Sequence, residues 1–178
     1  MNKLILIGIT GKMGSGKSSA AEVFEKYGYA RASFALPIKW VAQTYFFWDG
    51  RKDERGRKLL QKLGDVAREY DVDVFCRHMS TIIDGKMKVK DHDNEPCKIV
   101  IDDLRFENEA NLIRSLDGII LHLDTDGYNM GELNNHVSEK GIPFLQNDVL
   151  MKFPRFDSKE IFMSEFEVEA LESGLIKE

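Results

Sequence analysis

The fold class this sequence predicts is α/β, a parallel sheet with helices on both faces, and three observations carry it. An apolar run from Leu4 to Ile9 breaks into the glycine-rich turn Gly11-Lys12-Met13-Gly14-Ser15-Gly16-Lys17-Ser18, and a helical stretch begins near Ser18. Further short apolar runs, Lys98 to Ile101 and Gly118 to Leu123, alternate with stretches of helical periodicity. Runs that are apolar throughout but too short for helices read as parallel strands covered on both sides.

The elements follow in order. The first helix is expected from Ser18 to about Lys26, with Ala21, Val23 and Phe24 inward and Gly28 as its stop. A strand from Ala30 to Ala35 comes next, and Pro37 then opens a helix through Ile38, Trp40, Val41 and Tyr45 that ends at Gly50. Trp40 and Trp48 read as packing residues rather than base-stacking platforms. Residues 51–58 are dense in charge, as a solvated surface would be. Leu59, Leu60, Leu63, Val66 and Ala67 then recur at helical spacing, with Arg57, Gln61 and Arg68 on flanking faces. A helix from Val74 to Ile83 precedes a polar stretch, Asp84 to Pro96, read as a loop. After the Lys98–Ile101 strand come a helix from Phe106 to Leu116, the Gly118–Leu123 strand, an irregular excursion from Asp124 to Gln146, a short strand from Asp148 to Met151, and an amphipathic helix from Ser158 to Glu172.

The glycine turn has the pattern of a phosphate-binding P-loop. Glycines at 11, 14 and 16 permit positive φ, so that successive N–H groups converge on one point, and the following helix adds its unbonded N-terminal N–H groups and the positive end of its dipole. Gly11, Lys12, Met13, Gly14, Ser15, Gly16, Lys17, Ser18 and Ser19 are therefore the candidate ATP-binding residues, with Lys17 reaching the β/γ-phosphates and the Ser18 hydroxyl directed to Mg²⁺. A second acidic device fits the first. The Lys98–Ile101 run ends in Asp102-Asp103-Leu104-Arg105, and carboxylates at the end of a strand beside a P-loop can organise Mg²⁺, water or an attacking phosphate.

Composition narrows the function classes. A chain of 178 residues fits one domain, with room for a small subdomain or lid. Its 25 Lys+Arg against 30 Asp+Glu, net charge −5, argue against a general nucleic-acid coat while leaving room for local cation clusters that hold small anions. Leu4 to Thr10 is too short for a membrane span and runs straight into the glycine loop, so neither a leader nor a membrane partner is expected and the location expected is cytoplasmic. Cys76 and Cys97 lack metal-site spacing and read as ordinary reduced thiols.

Five segments in this order resemble the bacteriophage-type deoxynucleoside monophosphate kinases: the P-loop, Ser33-Phe34-Ala35-Leu36-Pro37-Ile38-Lys39, Gly56-Arg57-Lys58-Leu59-Leu60-Gln61-Lys62-Leu63-Gly64, Asp102-Asp103-Leu104-Arg105-Phe106-Glu107-Asn108-Glu109-Ala110, and His136-Val137-Ser138-Glu139. The resemblance spans roughly residues 4 to 150 and implies the P-loop fold, with transfer of the ATP γ-phosphoryl group to a deoxynucleoside monophosphate. It implies that Lys39, Arg57, Gln61, Gly64 and Asp65 line the acceptor site within a helical region of about residues 37–84. By the same resemblance Lys17, Asp103 and Arg105 are the catalytic set, Ser18 and Asp103 hold Mg²⁺, and His136 and Ser138 belong to a lid-like loop of about residues 124–146. A guanidinium fork suits Arg57 and Arg105 to phosphate.

The sequence departs from its relatives in two places. They often carry arginine after the strand where this chain reads Asp124-Thr125-Asp126, and an Asn-Gly signal where it reads Lys152-Phe153-Pro154-Arg155, which makes Lys152 and Arg155 candidates for the adenine side. Two other readings compete. An enzyme similar to dephospho-coenzyme A kinases would usually have an acidic residue just after the second strand, where Phe34-Ala35 stands, and an ATP-dependent regulatory or assembly module would leave Lys39, Arg57 and Arg105 unexplained. The base accepted, the exclusion of ribonucleotides and assembly as a homodimer are left open.

Overall fold

A computed structural model describes residues 3–51, 53–93, 95–126 and 141–177, with the backbone alone at 91–93. Strands β1 (Leu4–Thr10), β2 (Ala30–Ala32), β3 (Cys97–Ile101), β4 (Ile119–Thr125) and β5 (Val149–Phe153) form one parallel sheet in the order β2-β3-β1-β4-β5. The register sets Gly8 beside Ile101 and Thr10 beside His122, so the carboxyl ends of β1, β3 and β4 lie together at one edge. That edge is where an open parallel sheet presents its loops to a ligand.

Alternation along the strands divides the core in two. Ile7, Ile9, Val100, Leu121, Leu123, Met151 and Phe153 meet α1 (Lys17–Lys26) and α6 (Lys159–Glu172) through Ala20, Phe24, Phe162, Phe166 and Ala170. On the opposite face Leu6, Ile99, Ile101 and Ile120 meet α4 (Val74–Asp93) and α5 (Glu107–Ser115) through Met79, Ile83, Ala110 and Ile113. Phe166 is fully buried, with its ring centroid 5.8 Å from that of Phe24, and truncating it to alanine should cost about 3–5 kcal/mol.

Several boundaries differ from the sequence reading, each for a local reason. β2 stops at Ala32 rather than Ala35, because the N–H groups of Phe34 and Ala35 turn away from the ladder to the Asp103 carboxylate. Helix α2 (Leu36–Phe46) ends well before Gly50, at Phe47 in the left-handed region with φ 52°. The charged run is partly helix: Asp53 caps α3 (Glu54–Tyr70) by accepting from Gly56 N at 2.7 Å. Trp48 closes the preceding turn by donating to Arg51 O at 2.9 Å, whereas Trp40 is 57% exposed and packs edge-on against Tyr45. Asp84 to Asp93, read as loop, continues α4 instead. That stretch contains no proline, its lysines are good helix formers, and Met87 packs against the core, so polarity there marks a solvated face. Among the described residues no helix is long and apolar enough to cross a membrane.

Candidate functional site

The glycine turn joins β1 to α1 at the carboxyl edge of the sheet, with Gly11, Gly14 and Gly16 at φ 146°, 82° and 90°. Close approach also demands glycine here: a Cβ at position 11 would come 2.3 Å from Leu123 O, and one at 16 would come 2.5 Å from the Phe162 ring. Gly16 is the N-cap of α1 and offers no side-chain acceptor, which leaves the first N–H groups of the helix for another partner. Lys17 Nζ arches back over the loop and donates to Gly11 O at 2.7 Å and Lys12 O at 2.6 Å. From β4, Thr125 Oγ1 donates to Ser15 O at 3.1 Å and pins the loop from below. The Ser15 hydroxyl, 2% exposed as a residue, is the one buried side-chain polar atom without a hydrogen-bond partner among the described residues. An open recess of about 260 Å³ adjoins Gly14, Ser15, Gly16 and Ser19 and is lined as well by Thr125, Arg155, Phe156, Asp157, Ser158, Lys159 and Phe162.

The two aspartates after β3 point to different neighbours, as consecutive residues of an extended chain do. The sequence reading pairs Ser18 with Asp103, but the structure pairs Ser18 Oγ with Asp102 Oδ2 at 3.0 Å. Asp102 also takes a hydrogen bond from Arg31 on β2, whose guanidinium lies 3.7 Å from Glu25 as well. Burial would raise the Asp102 carboxyl, yet the hydrogen bonds from Arg31 and Ser18 and the charges of Arg31 and Lys39 outweigh it and hold the group below its ordinary value. Asp103 instead organises the turn before α2: it accepts from Ser33 Oγ at 2.6 Å, Phe34 N at 2.9 Å and Ala35 N at 3.0 Å. Lys39 Nζ donates to the same Ser33 Oγ at 3.0 Å. Adjacent carboxylates thus face the P-loop on one side and the Ser33–Lys39 segment on the other.

The deoxynucleotide monophosphate kinase family matches residues 47–154. This chain belongs to that family. A protein of Acanthamoeba polyphaga mimivirus, provisionally described as a deoxynucleotide monophosphate kinase, is 30% identical over 150 residues, covering 70% of this chain and 76% of its own. A structure from Chloroflexus aurantiacus, provisionally described as a kinase, superposes over 98% of this chain and 99% of that one at 15% identity, with a TM-score of 0.52. The fold is that of the P-loop kinases, and the chain is a phosphotransferase. The dephospho-CoA kinase of Campylobacter jejuni covers 95% of this chain and 96% of its own at 14% identity, with a TM-score of 0.49.

In this kinase Arg57, Gln61, Gly64 and Asp65 lie along α3, and the spacing puts 57, 61 and 64 on one stripe. Arg57, Gln61 and Asp65 are half-buried and Gly64 is buried. Arg105 sits in the turn between β3 and α5, with its backbone N–H bonded to Glu109 Oε2 at 3.0 Å. His136 and Ser138 lie outside the described residues. Cys76 and Cys97 are both free and buried, and burial raises both thiols, Cys76 to about 11 with Glu109 adding to the effect.

Sequence reasoning missed Arg31, Thr125 and Glu109 and left Arg68 on a flank. Only Glu109 carried a signal: an acidic residue three positions after the start of a helix is the capping position, and Glu109 Oε2 accepts from Phe106 N at 3.1 Å. Arg31 is one of 25 Lys and Arg residues in the chain, and its partner is 71 positions away.

Proposed function

We propose that this kinase transfers the γ-phosphoryl group of ATP to a deoxynucleoside 5′-monophosphate, giving ADP and the deoxynucleoside diphosphate. One observation carries the reading: the neighbouring carboxylates of Asp102 and Asp103 divide between the P-loop and the turn that leads to Lys39. Phosphoryl transfer asks a protein mainly for alignment and charge neutralisation, so two phosphate-binding segments must meet at one point.

On the donor side the N–H groups of Gly11 to Ser19 and the Lys17 ammonium would receive the ATP phosphates. The unpartnered Ser15 hydroxyl fits a ligand-binding loop. Ser18 and Asp102 would hold Mg²⁺. Ser18 Oγ and Asp102 Oδ2, 3.0 Å apart, are the oxygen donors that suit an ion bound by one or two side chains plus phosphates and water. When bound there, Mg²⁺ would neutralise charge on the phosphates during transfer. The recess lined by Arg155 and Phe156 is the place for the adenosine end of ATP, where a guanidinium and a ring can cover a base.

On the acceptor side Lys39, Arg57 and Arg105 would grip the monophosphate, with Gln61, Gly64 and Asp65 lining the nucleoside. Asp103 shapes this side by fixing the Ser33–Ala35 turn rather than by binding metal. A lid that includes His136 and Ser138, and a cytoplasmic location, belong to the same proposal.

The test is a panel of the four deoxynucleoside monophosphates, their ribonucleotide counterparts and dephospho-coenzyme A, each with ATP and Mg²⁺, read as ADP formed and product identified. Formation of a deoxynucleoside diphosphate supports the reading. Phosphorylation of dephospho-coenzyme A alone, or ATP hydrolysis indifferent to every acceptor, overturns it.

A further inference from the structure

The interior between α3, α4 and α5 holds a charge that the site described above does not use. Arg68, near the end of α3, has its guanidinium carbon 3.7 Å from the centroid of the Phe106 ring and 4.6 Å from that of Phe75. Its Nη2 lies 3.5 Å from Glu109 Oε1, in a pair whose side chains are 22% and 2% exposed. The other oxygen of Glu109 accepts from the backbone N–H groups of Arg105 and Phe106 at 3.0 and 3.1 Å. Position 64 carries no side chain, and a Cβ there would sit 2.8 Å from Arg68 Nη1.

Holding an ion pair in such a place is costly, and an aliphatic contact would join α3 to α5 at lower cost. What charge adds is direction. The guanidinium plane is held by the Phe75 and Phe106 rings, while a single carboxylate joins it to the two N–H groups that orient the Arg105 turn. Arg68 also lies on the helical stripe of Arg57, Gln61 and Gly64, since eleven residues from Arg57 complete about three turns.

We propose that Arg68 is a positioning residue which, through Glu109, fixes the acceptor-facing stripe of α3 relative to the Arg105 turn. The inference rests on the acceptor site proposed above. Its role concerns the alignment of groups from two separate elements on one phosphate, where a shift of about 1 Å is enough to weaken binding and transfer.

The experiment is a double-mutant cycle with Arg68→Met and Glu109→Gln, with Arg68→Lys as the conservative variant, read as Michaelis constants for the deoxynucleoside monophosphate and for ATP, alongside melting temperatures. Each single substitution should raise the acceptor constant about tenfold and leave the ATP constant within about twofold. The double variant should be no worse than the worse single, and Arg68→Lys should recover part of the loss. Arg68→Met tests the charge and Glu109→Gln tests the link from the other side, so an unfolded variant at one position leaves the other, compared with Arg68→Lys, to decide. Additive effects, equal losses in both constants, or an unchanged acceptor constant overturn the proposal. A wild-type protein that phosphorylates no monophosphate overturns the acceptor reading and this role with it, whereas an active wild type with additive variants overturns this role alone.

Discussion

Replacing Asp103 with asparagine should cost about 2–3 kcal/mol of stability, a figure that follows from three hydrogen bonds. Oδ2 accepts from Ser33 Oγ and Ala35 N, and Oδ1 accepts from Phe34 N. An asparagine has one acceptor oxygen, so whichever way the amide turns, its NH₂ faces a backbone N–H that then has no acceptor. Losing one charge-assisted bond and weakening the others is worth about 2–3 kcal/mol, and for a chain of this size lowers the melting temperature by roughly 4–12 °C. The turn carries Lys39 through Ser33 Oγ, so the Michaelis constant for the monophosphate should rise while that for ATP stays within about twofold. Asp102→Asn should behave in the opposite way, because its carboxylate faces Ser18 and Arg31: turnover falls by about a hundredfold or more with little change in the acceptor constant. Calorimetry and steady-state kinetics of the two variants decide the matter. An Asp103→Asn protein that melts with the wild type and loses turnover more than Asp102→Asn would refute the assignment of one carboxylate to the turn and the other to the P-loop.

Lys17→Ala should lower turnover by about a hundredfold or more with little change in melting temperature, because the ammonium lies at the exposed loop, where it donates to the Gly11 and Lys12 carbonyls, and not in the core; near wild-type turnover removes this loop from the chemistry. Arg57→Ala should raise the acceptor constant about thirtyfold, about 2 kcal/mol, and leave ATP binding and stability nearly unchanged, and an equal loss for ATP would place Arg57 elsewhere. Arg155→Ala should weaken ATP and spare the acceptor, as titration with a fluorescent ATP analogue would reveal. Glu109 predicts a pH dependence: burial, helped by the Asp103 charge and opposed by the Arg105 and Phe106 N–H groups and Arg68, lifts its carboxyl to about 7 from an ordinary 4.5. A raised carboxyl favours the protonated folded protein, so this contribution is full below about pH 4.5 and is lost as pH rises through about 7, by about 3 kcal/mol in all. Urea unfolding across that window should show a flatter slope for Glu109→Gln, and identical slopes would contradict the burial argument.

Legible in the sequence alone were the positions of the sheet strands, to within a few residues, and the glycine-rich turn after β1, because these depend on local spacing. Glycines at 11, 14 and 16 between an apolar strand and a helix allow few other structures, and Gly-rich turns and apolar runs are written in consecutive residues. Lysine-rich α4 shows the limit of that reading, since polarity cannot separate a loop from the wet face of a helix whose other side packs through Met87. What only the tertiary structure decided was the partner of each charge. Neighbouring aspartates at a strand end look alike in a sequence, and the choice between them depends on Ser18, 84 positions before Asp102, and on Ser33, 70 before Asp103. Arg31 and Arg68 were likewise charges without an address until β2 met β3 and α3 met α5. Local pattern fixes which way a chain can bend, but the free energy of a buried charge is set by the groups that surround it in space, and those come from distant parts of the chain.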